Sequence, residues 1–254
     1  MNIIIDEGNS FVKIAVFDNG KLQKHQRVLF GEVSEGVENL QRQFPISKGI
    51  VSSVVAGVHQ RFAFLERSLS ELHYLNATTP VPFNNAYASP SSLGVDRIAL
   101  AAAAVTRYSG QDVLVIDAGT CITFDMVERT GVFRGGAIAP GIQMRFRAMH
   151  EFTSKLPLVE SQDFDMNNYI GDTTEKCMLS GVYHNIVCEI EGVIARYSEQ
   201  YRNLTVVLTG GDHLYLAKTI KSRIFANPFF LLEGLDAILV FQRGKEEKFS
   251  IRYE

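Results

Sequence analysis

Along the chain, the spacing of hydrophobic positions alternates between strand-like and helix-like, and the order of predicted elements that results occurs twice. In the first part, short apolar runs predict β-strands, and apolar positions three and four residues apart predict helices. The predicted strands are residues 2–6, 12–18, 22–29 and 49–54, with Asn19-Gly20 as a hairpin turn. The predicted helices are residues 32–43, 60–71 and 94–108. This part therefore shows the order βββαβα.

The same order begins again after residue 110. The predicted elements are strands at 112–117, 121–128 and 132–138, a helix at 141–153, a long helix at 172–202, a strand at 205–209 and a last helix at 231–242. A repeated βββαβα order implies two α/β domains of similar topology that arose by duplication. We predict domains at residues 1–110 and 111–254.

Composition excludes several classes of function. The chain has 254 residues, 46% of them hydrophobic, which is enough for sizeable cores. Its net charge of −3 supplies no broad basic field, so we expect no nucleic-acid partner. Three cysteines without a CxxC pair suit a reducing compartment and offer no zinc site. The longest apolar run, residues 98–105, is too short to cross a bilayer. We expect a cytoplasmic protein that does not bind membranes.

The residues best suited to bind a ligand lie in one short motif that occurs twice in the chain. An apolar strand runs into Asp6-Glu7-Gly8-Asn9-Ser10, and a second runs into Asp117-Ala118-Gly119-Thr120. A carboxylate beside the free N–H groups of a tight turn can hold a cation and phosphate oxygens together. Lys13 adds a positive charge to the first copy. Two such turns facing across a cleft would grip a nucleoside triphosphate, which predicts a phosphotransferase.

Each motif also has a plainer interpretation. Asp6 to Lys13 alone could be an ordinary hairpin turn, although its repetition argues against this. Gly94-Val95-Asp96-Arg97 opens an alanine-rich helix and offers a base and an anion anchor, or only a capping acid with an ion-paired arginine. Tyr87 could line the same pocket or simply pack. The glycines at 135–141 and 210–211 fit either a close approach to ligand or plain strand–helix joints.

Together, and in this order, the motifs resemble those of the type III pantothenate kinase family, within the superfamily of acetate and sugar kinases, heat-shock chaperones and actin. The resemblance covers most of the chain and includes Gly136-x-Ile138-x-Pro140-Gly141 and Gly171-Asp172-Thr173-Thr174. It implies two duplicated ribonuclease H-like (actin-like ATPase) domains, each a mixed sheet flanked by helices, with a cleft between them. It also implies ATP-dependent phosphorylation of pantothenate in coenzyme A synthesis, Mg²⁺, a monovalent cation (K⁺ or NH₄⁺) and a homodimer.

The resemblance assigns roles residue by residue. It implies Asp96 as the catalytic base and Asp117 as the ligand of the monovalent cation, with Asp6 as a ligand of Mg²⁺. The implied ATP contacts are Asp6, Glu7, Gly8, Asn9, Ser10, Phe11, Val12, Lys13 and Thr120. The implied pantothenate contacts are Tyr87, Gly94, Val95, Asp96, Arg97 and Thr174, with Thr173 as an alternative to Thr174.

One departure from the family pattern concerns charge. Glu7 replaces the usual apolar residue, and strand alternation should point it away from Asp6. Two alternative functions stay open: another small-molecule kinase of the superfamily, and a non-catalytic ATP or phosphate sensor that regulates transcription. A shared fold does not fix the substrate.

Overall fold

A computed structural model describes residues 1–9, 11–160 and 164–250, with the backbone alone for residues 245–250. Its contacts divide the chain into two compact units. The first comprises Met1–Ser109, Gly131–Phe133 and Phe229–Glu254; the second comprises Gly110–Thr130 and Arg134–Pro228. The last helix is thus grouped with the first unit, whereas the sequence prediction gave it to residues 111–254. The predicted boundary of the duplicated domains stays a prediction.

The strands of the described residues are numbered in chain order. They are β1 Asn2–Glu7, β2 Val12–Asp18, β3 Lys21–Val28, β4 Lys48–Ser53, β5 Glu71–Tyr74, β6 Asn84–Asn85, β7 Val113–Ala118, β8 Cys121–Val127, β9 Val132–Pro140, β10 Thr205–Thr209 and β11 Phe225–Ala226. The α-helices are α1 Val33–Gln43, α2 Val58–Phe62, α3 Val95–Arg107, α4 Ile142–Glu151, α5 Thr174–Gln200, α6 His213–Thr219 and α7 Phe230–Ser250.

Both units repeat one sheet topology. The first has the strand order β3-β2-β1-β4-β5, and the second has β9-β8-β7-β10-β11. Strand β1 pairs antiparallel with β2 and parallel with β4. In the same way, β7 pairs antiparallel with β8 and parallel with β10. The two-residue strand β6 pairs with Val132 and Phe133, which belong to the first unit like β6 itself. The predicted fold class, two α/β repeats with mixed sheets, is confirmed.

One predicted helix is wrong in its second half. Instead of a helix over 60–71, the chain forms α2, then a 3₁₀ segment at Ala63–Arg67, and then β5. Phe62, Leu65 and Leu69 are buried, which explains the helix-like spacing of the apolar residues. The backbone groups from Glu71 onward instead extend the sheet by pairing in parallel with β4. Tertiary pairing overrides the local pattern here.

The sheet of the first unit is covered on both faces. Ile3, Ile5 and Ile14 pack with the apolar side of α1 in one core. On the other side, helices α3 and α7 pack against each other. A side chain at Gly234 would collide with the carbonyl of Ala99, so these helices approach at backbone distance. This packing gives the last helix its place in the first unit.

The core of the second unit forms where α4, α5 and α6 meet one sheet face. Ile186 and Ile190 of α5 are fully buried there with Leu114 and Ile116 of β7 and Phe146 of α4. Helix α5 has 27 residues and also carries polar residues along its length. Among the described residues, no helix combines the length and apolar character needed to span a membrane.

Candidate active site

The first acidic turn joins β1 to β2 and carries most of the predicted ATP contacts. Asp6 and Lys13 are directly opposite each other in the antiparallel ladder, and Lys13 Nζ lies 3.5 Å from Asp6 Oδ2. The Gly8 N–H donates to the Phe11 carbonyl over 3.1 Å, which closes the turn. Ser10 lies outside the described residues. The turn therefore presents a paired carboxylate and ammonium.

The Asp6 carboxyl is only 6% exposed. Burial raises the pKa of Asp6; Lys13 opposes this shift, whereas Asp96 and Glu7 add to it. The negative charge of Asp96 thus reaches Asp6 within the same unit. A cation near Asp6 would be favoured, because it would stabilise a buried carboxylate that has one acidic neighbour on each of two sides.

The other residues of this turn differ in what they can offer a ligand. The whole of Val12 is buried in the core, so its side chain is not available to a ligand. Asn9 is exposed, and the guanidinium of Arg27 stacks 3.5 Å from the centre of the Phe11 ring. Among the described residues, a Cβ on Gly8 would meet only the Phe11 carbonyl, at 3.6 Å. The described residues thus leave room at Gly8 for the close approach of a phosphate group.

Glu7 points away from Asp6, as strand alternation predicts, and is held by a residue that the sequence analysis missed. Arg61 Nε donates to Glu7 Oε1 over 2.8 Å, and Arg61 Nη2 donates to Oε2 over 2.5 Å. The Ser53 hydroxyl also donates to Oε2. No motif marks Arg61; the only available signal was that a buried glutamate on a strand requires a cationic partner.

A second group of predicted residues gathers at the start of α3. Asp96 lies in the first turn of the helix, and its Oδ1 accepts a 2.9 Å hydrogen bond from the Arg97 N–H. The Arg97 side chain is buried, with its guanidinium carbon 5.3 Å from the Tyr87 ring and 5.8 Å from the Phe133 ring. Gly94 and Val95 precede these residues and are half-buried. The acid at the start of α3 is therefore followed directly by a buried guanidinium that lies near two aromatic rings.

The second acidic turn, between β7 and β8, is surrounded by backbone oxygens. Asp117 is half-buried and Thr120 is exposed. A Cβ on Gly210 would collide with the Ala118 carbonyl and with Asp117 Oδ1. A Cβ on Gly141 would collide with the carbonyls of Gly119 and Thr120. The glycines thus let two other loops approach this turn at backbone distance.

The hydrogen bonds of this region tie the same loops to the turn. The Asp212 N–H donates to the Ala118 carbonyl over 3.0 Å, and the Gly141 N–H donates to the Thr120 carbonyl over 3.1 Å. Burial raises the pKa of Asp212, and the neighbouring His213 opposes this shift. Among the described residues there is no group of three or more His, Cys, Asp or Glu side chains that could hold a metal. Any cation here would rely on carboxylate and carbonyl oxygens together.

The two candidate threonines at the start of α5 have different surroundings. Thr173 is the N-cap, and its hydroxyl accepts a 3.2 Å hydrogen bond from the Lys176 N–H. Thr174 lines a cavity of about 400 Å³ with Arg145, Asn185 and several apolar side chains. The Thr173 hydroxyl is therefore occupied by capping, while Thr174 borders space that a ligand could fill.

Solved structures with the same fold define the class of protein. A Campylobacter jejuni protein described as a Baf family transcriptional activator matches with a TM-score of 0.62 and 21% identity, over 95% of this chain and 99% of that one. A ROK family glucokinase from Streptomyces griseus, in complex with glucose and AMPPNP, matches with a TM-score of 0.53 and 10% identity, over 94% of this chain and 98% of that one. At these identities the likeness shows the fold alone, which is that of the sugar kinases and actin-like ATPases.

Sequence comparison narrows this class to one family. The family model for type III pantothenate kinase matches residues 2–196. A type III pantothenate kinase from Christiangramia forsetii is 47% identical, over 96% of this chain and 99% of the relative. The chain therefore belongs to the type III pantothenate kinase family, which is the family that its motifs resemble.

Proposed function

We propose that this chain catalyses the ATP-dependent phosphorylation of pantothenate to 4′-phosphopantothenate, the first step of coenzyme A biosynthesis. Besides family membership, one observation carries the proposal. The Asp6–Lys13 turn and the Asp96 carboxylate lie within electrostatic reach of each other in the same unit. A phosphate-binding turn near a carboxylate that can accept the proton of an alcohol is the arrangement that phosphoryl transfer to an alcohol requires.

The ATP phosphates would bind over the first turn. The room that the described residues leave at Gly8 allows backbone N–H groups to approach the phosphate oxygens, and Lys13 would neutralise part of their charge. The proposed contacts are Asp6, Glu7, Gly8, Asn9, Ser10, Phe11, Val12, Lys13 and, from the second turn, Thr120. Val12 and Glu7 would contribute backbone only, because the side chain of Val12 is in the core and that of Glu7 is held by Arg61.

Asp6 fits a role at Mg²⁺. Among the described residues its buried carboxylate pairs with one cation, Lys13, at 3.5 Å, and the charges of Asp96 and Glu7 favour a further cation. Mg²⁺ keeps several waters and phosphate oxygens as ligands and needs only one or two carboxylates from the protein. When bound, Mg²⁺ would neutralise charge on the transferring phosphate.

Asp96 would orient the primary alcohol of pantothenate and accept its proton as the phosphate transfers. Asp96 lies in the first turn of α3, in the same unit as the Asp6–Lys13 turn. Arg97 and Tyr87, with Gly94 and Val95, would border the same substrate. Thr174 is the better candidate of the two threonines, since the Thr173 hydroxyl is engaged in capping.

Asp117 would hold a monovalent cation such as K⁺ or NH₄⁺. The donor set fits, because the turn that follows the carboxylate also carries the carbonyls of Ala118, Gly119 and Thr120, which lie at backbone distance from Gly210 and Gly141. A carbonyl oxygen that accepts one hydrogen bond retains a second lone pair for a cation. One carboxylate with several neutral oxygens suits a large singly charged ion.

We also propose a homodimer located in the cytoplasm, with no nucleic-acid or membrane partner. Within the described part of the second unit, several apolar side chains are strongly exposed, among them Phe152, Leu158, Tyr169 and Ile170. Covering such side chains with a second copy would remove apolar surface from water. Three free cysteines suit a reducing compartment.

The decisive experiment measures ADP release with Mg²⁺-ATP and a panel of acceptors. We expect release that depends on pantothenate, with sugars and small carboxylates giving only background. Comparing K⁺, NH₄⁺ and Na⁺ in the same assay tests the proposed monovalent site. Release that is stimulated by a sugar and not by pantothenate would instead favour another kinase of the superfamily. ATP binding without acceptor-dependent release would favour a sensor.

A further inference from the structure

Glu7 introduces a negative charge into a turn that is proposed to bind the most anionic part of ATP. Its side chain is 2% exposed and stands between Asp6 and Gly8 in sequence. A buried carboxylate without a partner costs several kcal/mol, and one beside a triphosphate would also repel the ligand. The fold must therefore neutralise Glu7 before this turn can bind phosphate.

Arg61 supplies that neutralisation with a two-pronged contact. Its Nε and Nη2 atoms donate to the two carboxylate oxygens of Glu7, the geometry in which an Arg–carboxylate pair is strongest. Arg61 is itself partly covered, with 35% of its side chain exposed, so solvent screens this pair less than a surface pair.

The same guanidinium also fixes the backbone around the turn. It donates to the carbonyls of Val55 and Ala56, and the hydroxyl of Ser53, the last residue of β4, also donates to Glu7. The Val54 N–H donates to the Glu7 carbonyl over 3.2 Å. Arg61 thus joins the carboxyl ends of the parallel strands β1 and β4 at the point where β1 runs into Gly8.

We propose that Arg61 is a positioning residue for the ATP-phosphate turn: it neutralises Glu7 and holds the end of β1 in the geometry from which Gly8 and Asn9 meet the phosphates. The proposal rests on the function proposed above and deepens it. Arg61 acts through Glu7 and the backbone. It is assigned no contact with the substrate.

The Glu7–Arg61 pair predicts different effects on nucleotide affinity when either charge is removed alone. Removing Arg61 alone leaves an unpaired negative charge beside the phosphates, whereas removing Glu7 alone leaves an additional cation. Removing both charges restores neutrality with two uncharged amides. Nucleotide affinity should therefore fall in Arg61→Gln, recover in the double variant Glu7→Gln/Arg61→Gln, and be equal to or above wild type in Glu7→Gln.

The test measures the dissociation constant of Mg²⁺-AMPPNP by calorimetry, together with KM for ATP, kcat and Tm. We expect Arg61→Gln to weaken AMPPNP binding and raise KM for ATP about tenfold, from one unpaired charge several ångströms from a triphosphate. The value of kcat should change less. The double variant should return to within about threefold of wild type, since neighbouring charges are not additive. Arg61→Lys keeps the charge but loses the fork and should lie between.

Arg42 provides the matched control. It forms an exposed ion pair with Glu38 in the same unit, with 72% of its side chain exposed. Arg42→Gln should leave AMPPNP affinity and KM for ATP unchanged.

Normal AMPPNP affinity in Arg61→Gln, whatever its Tm, would overturn the proposal, as would a double variant as weak as Arg61→Gln. If Arg61→Gln does not fold, Arg61→Lys is measured instead. Wild-type AMPPNP affinity in Arg61→Lys would show that the bidentate contact of Arg61 with Glu7 is not needed. AMPPNP binding is measured without pantothenate, so a wild type inactive toward pantothenate would contradict the proposed function and leave this comparison intact.

Discussion

The two acidic turns begin from nearly the same sequence phrase and acquire opposite surroundings. Around Asp6 the neighbours are charged side chains: Lys13 opposes its charge, and Asp96 and Glu7 add to it. Around the Asp117 turn, the carbonyls of the turn itself lie at backbone distance from Gly141 and Gly210 of two other loops. The first setting suits the proposed site for phosphate with a divalent cation, and the second suits the proposed site for a singly charged cation. The duplicated strand and turn thus fix where a carboxylate lies, while the residues that surround it differ between the two turns.

The largest expected effect tests whether Asp96, which lies near the first acidic turn, accepts the proton of the substrate alcohol. Asp96→Asn should lower kcat by about 10²–10⁴-fold while leaving KM for ATP largely unchanged, because the amide cannot accept the alcohol proton. Steady-state kinetics against both substrates measure this. Glu38→Gln, an exposed acid of the same unit, serves as the control. A kcat near that of wild type in Asp96→Asn would remove Asp96 from the mechanism.

Two variants, one in each acidic turn, test whether the first turn binds ATP and the second binds the monovalent cation. Lys13→Gln should raise KM for ATP by about tenfold or more, with the K⁺ dependence kept, because it removes a charge-assisted phosphate contact. Asp117→Asn should raise the K⁺ concentration for half-maximal activity by about tenfold or more, with a smaller change in KM for ATP. Activity measured over a grid of ATP and K⁺ concentrations separates the two. Equal effects of both variants on both ligands would break the comparison.

Substitution of Gly210 and substitution of Gly8 should change the free energy of unfolding by different amounts. Gly210 has φ +93°, and a Cβ there would collide with Asp117 and Ala118, so Gly210→Ala should cost about 2 kcal/mol or more. Among the described residues, a Cβ on Gly8 meets only ordinary contact, so Gly8→Ala should change stability by no more than about 0.5 kcal/mol while raising KM for ATP. Urea denaturation and kinetics of both variants measure these effects. An unstable Gly8→Ala would show that the fold itself needs this glycine.

The smallest effect concerns pH and the burial of Asp6. The pKa of Asp6 is raised in the folded state, so the folded chain binds this proton more tightly than the unfolded chain does. Its contribution to stability is therefore greatest at low pH and is lost as pH rises from about 3.8 through the raised folded value. Asp6→Asn should be more stable than wild type by about 1 kcal/mol near neutral pH, and this gain should shrink toward acid pH. Equal stability of the two proteins at all pH values would show that Lys13 fully offsets the burial.

Much of the fold could be predicted because strand and helix periods are local properties. The strand at Val12–Asp18 and that at Thr205–Thr209 have the predicted bounds, and the order of the repeat appears in both sheets. The strand at Glu71–Tyr74 was missed because an edge strand is defined by its partner, here the strand at Lys48–Ser53. The place of the last helix was also not predicted, since it depends on close packing between Gly234 and Ala99.

For the candidate site, the sequence by itself selected the residues that are proposed to carry the chemistry. Asp6 and Asp117 stand out because an acid at the end of a buried strand, followed by glycine, forms a recognisable local pattern, and Asp96 stands out at the start of a helix. Only the tertiary structure decided how each charge is balanced. The partnership of Glu7 with Arg61 joins residues 54 positions apart, and Asp96 acts on Asp6 across a still longer stretch of chain. Electrostatic interactions depend on distance and burial in space, and neither can be read from the local order of residues.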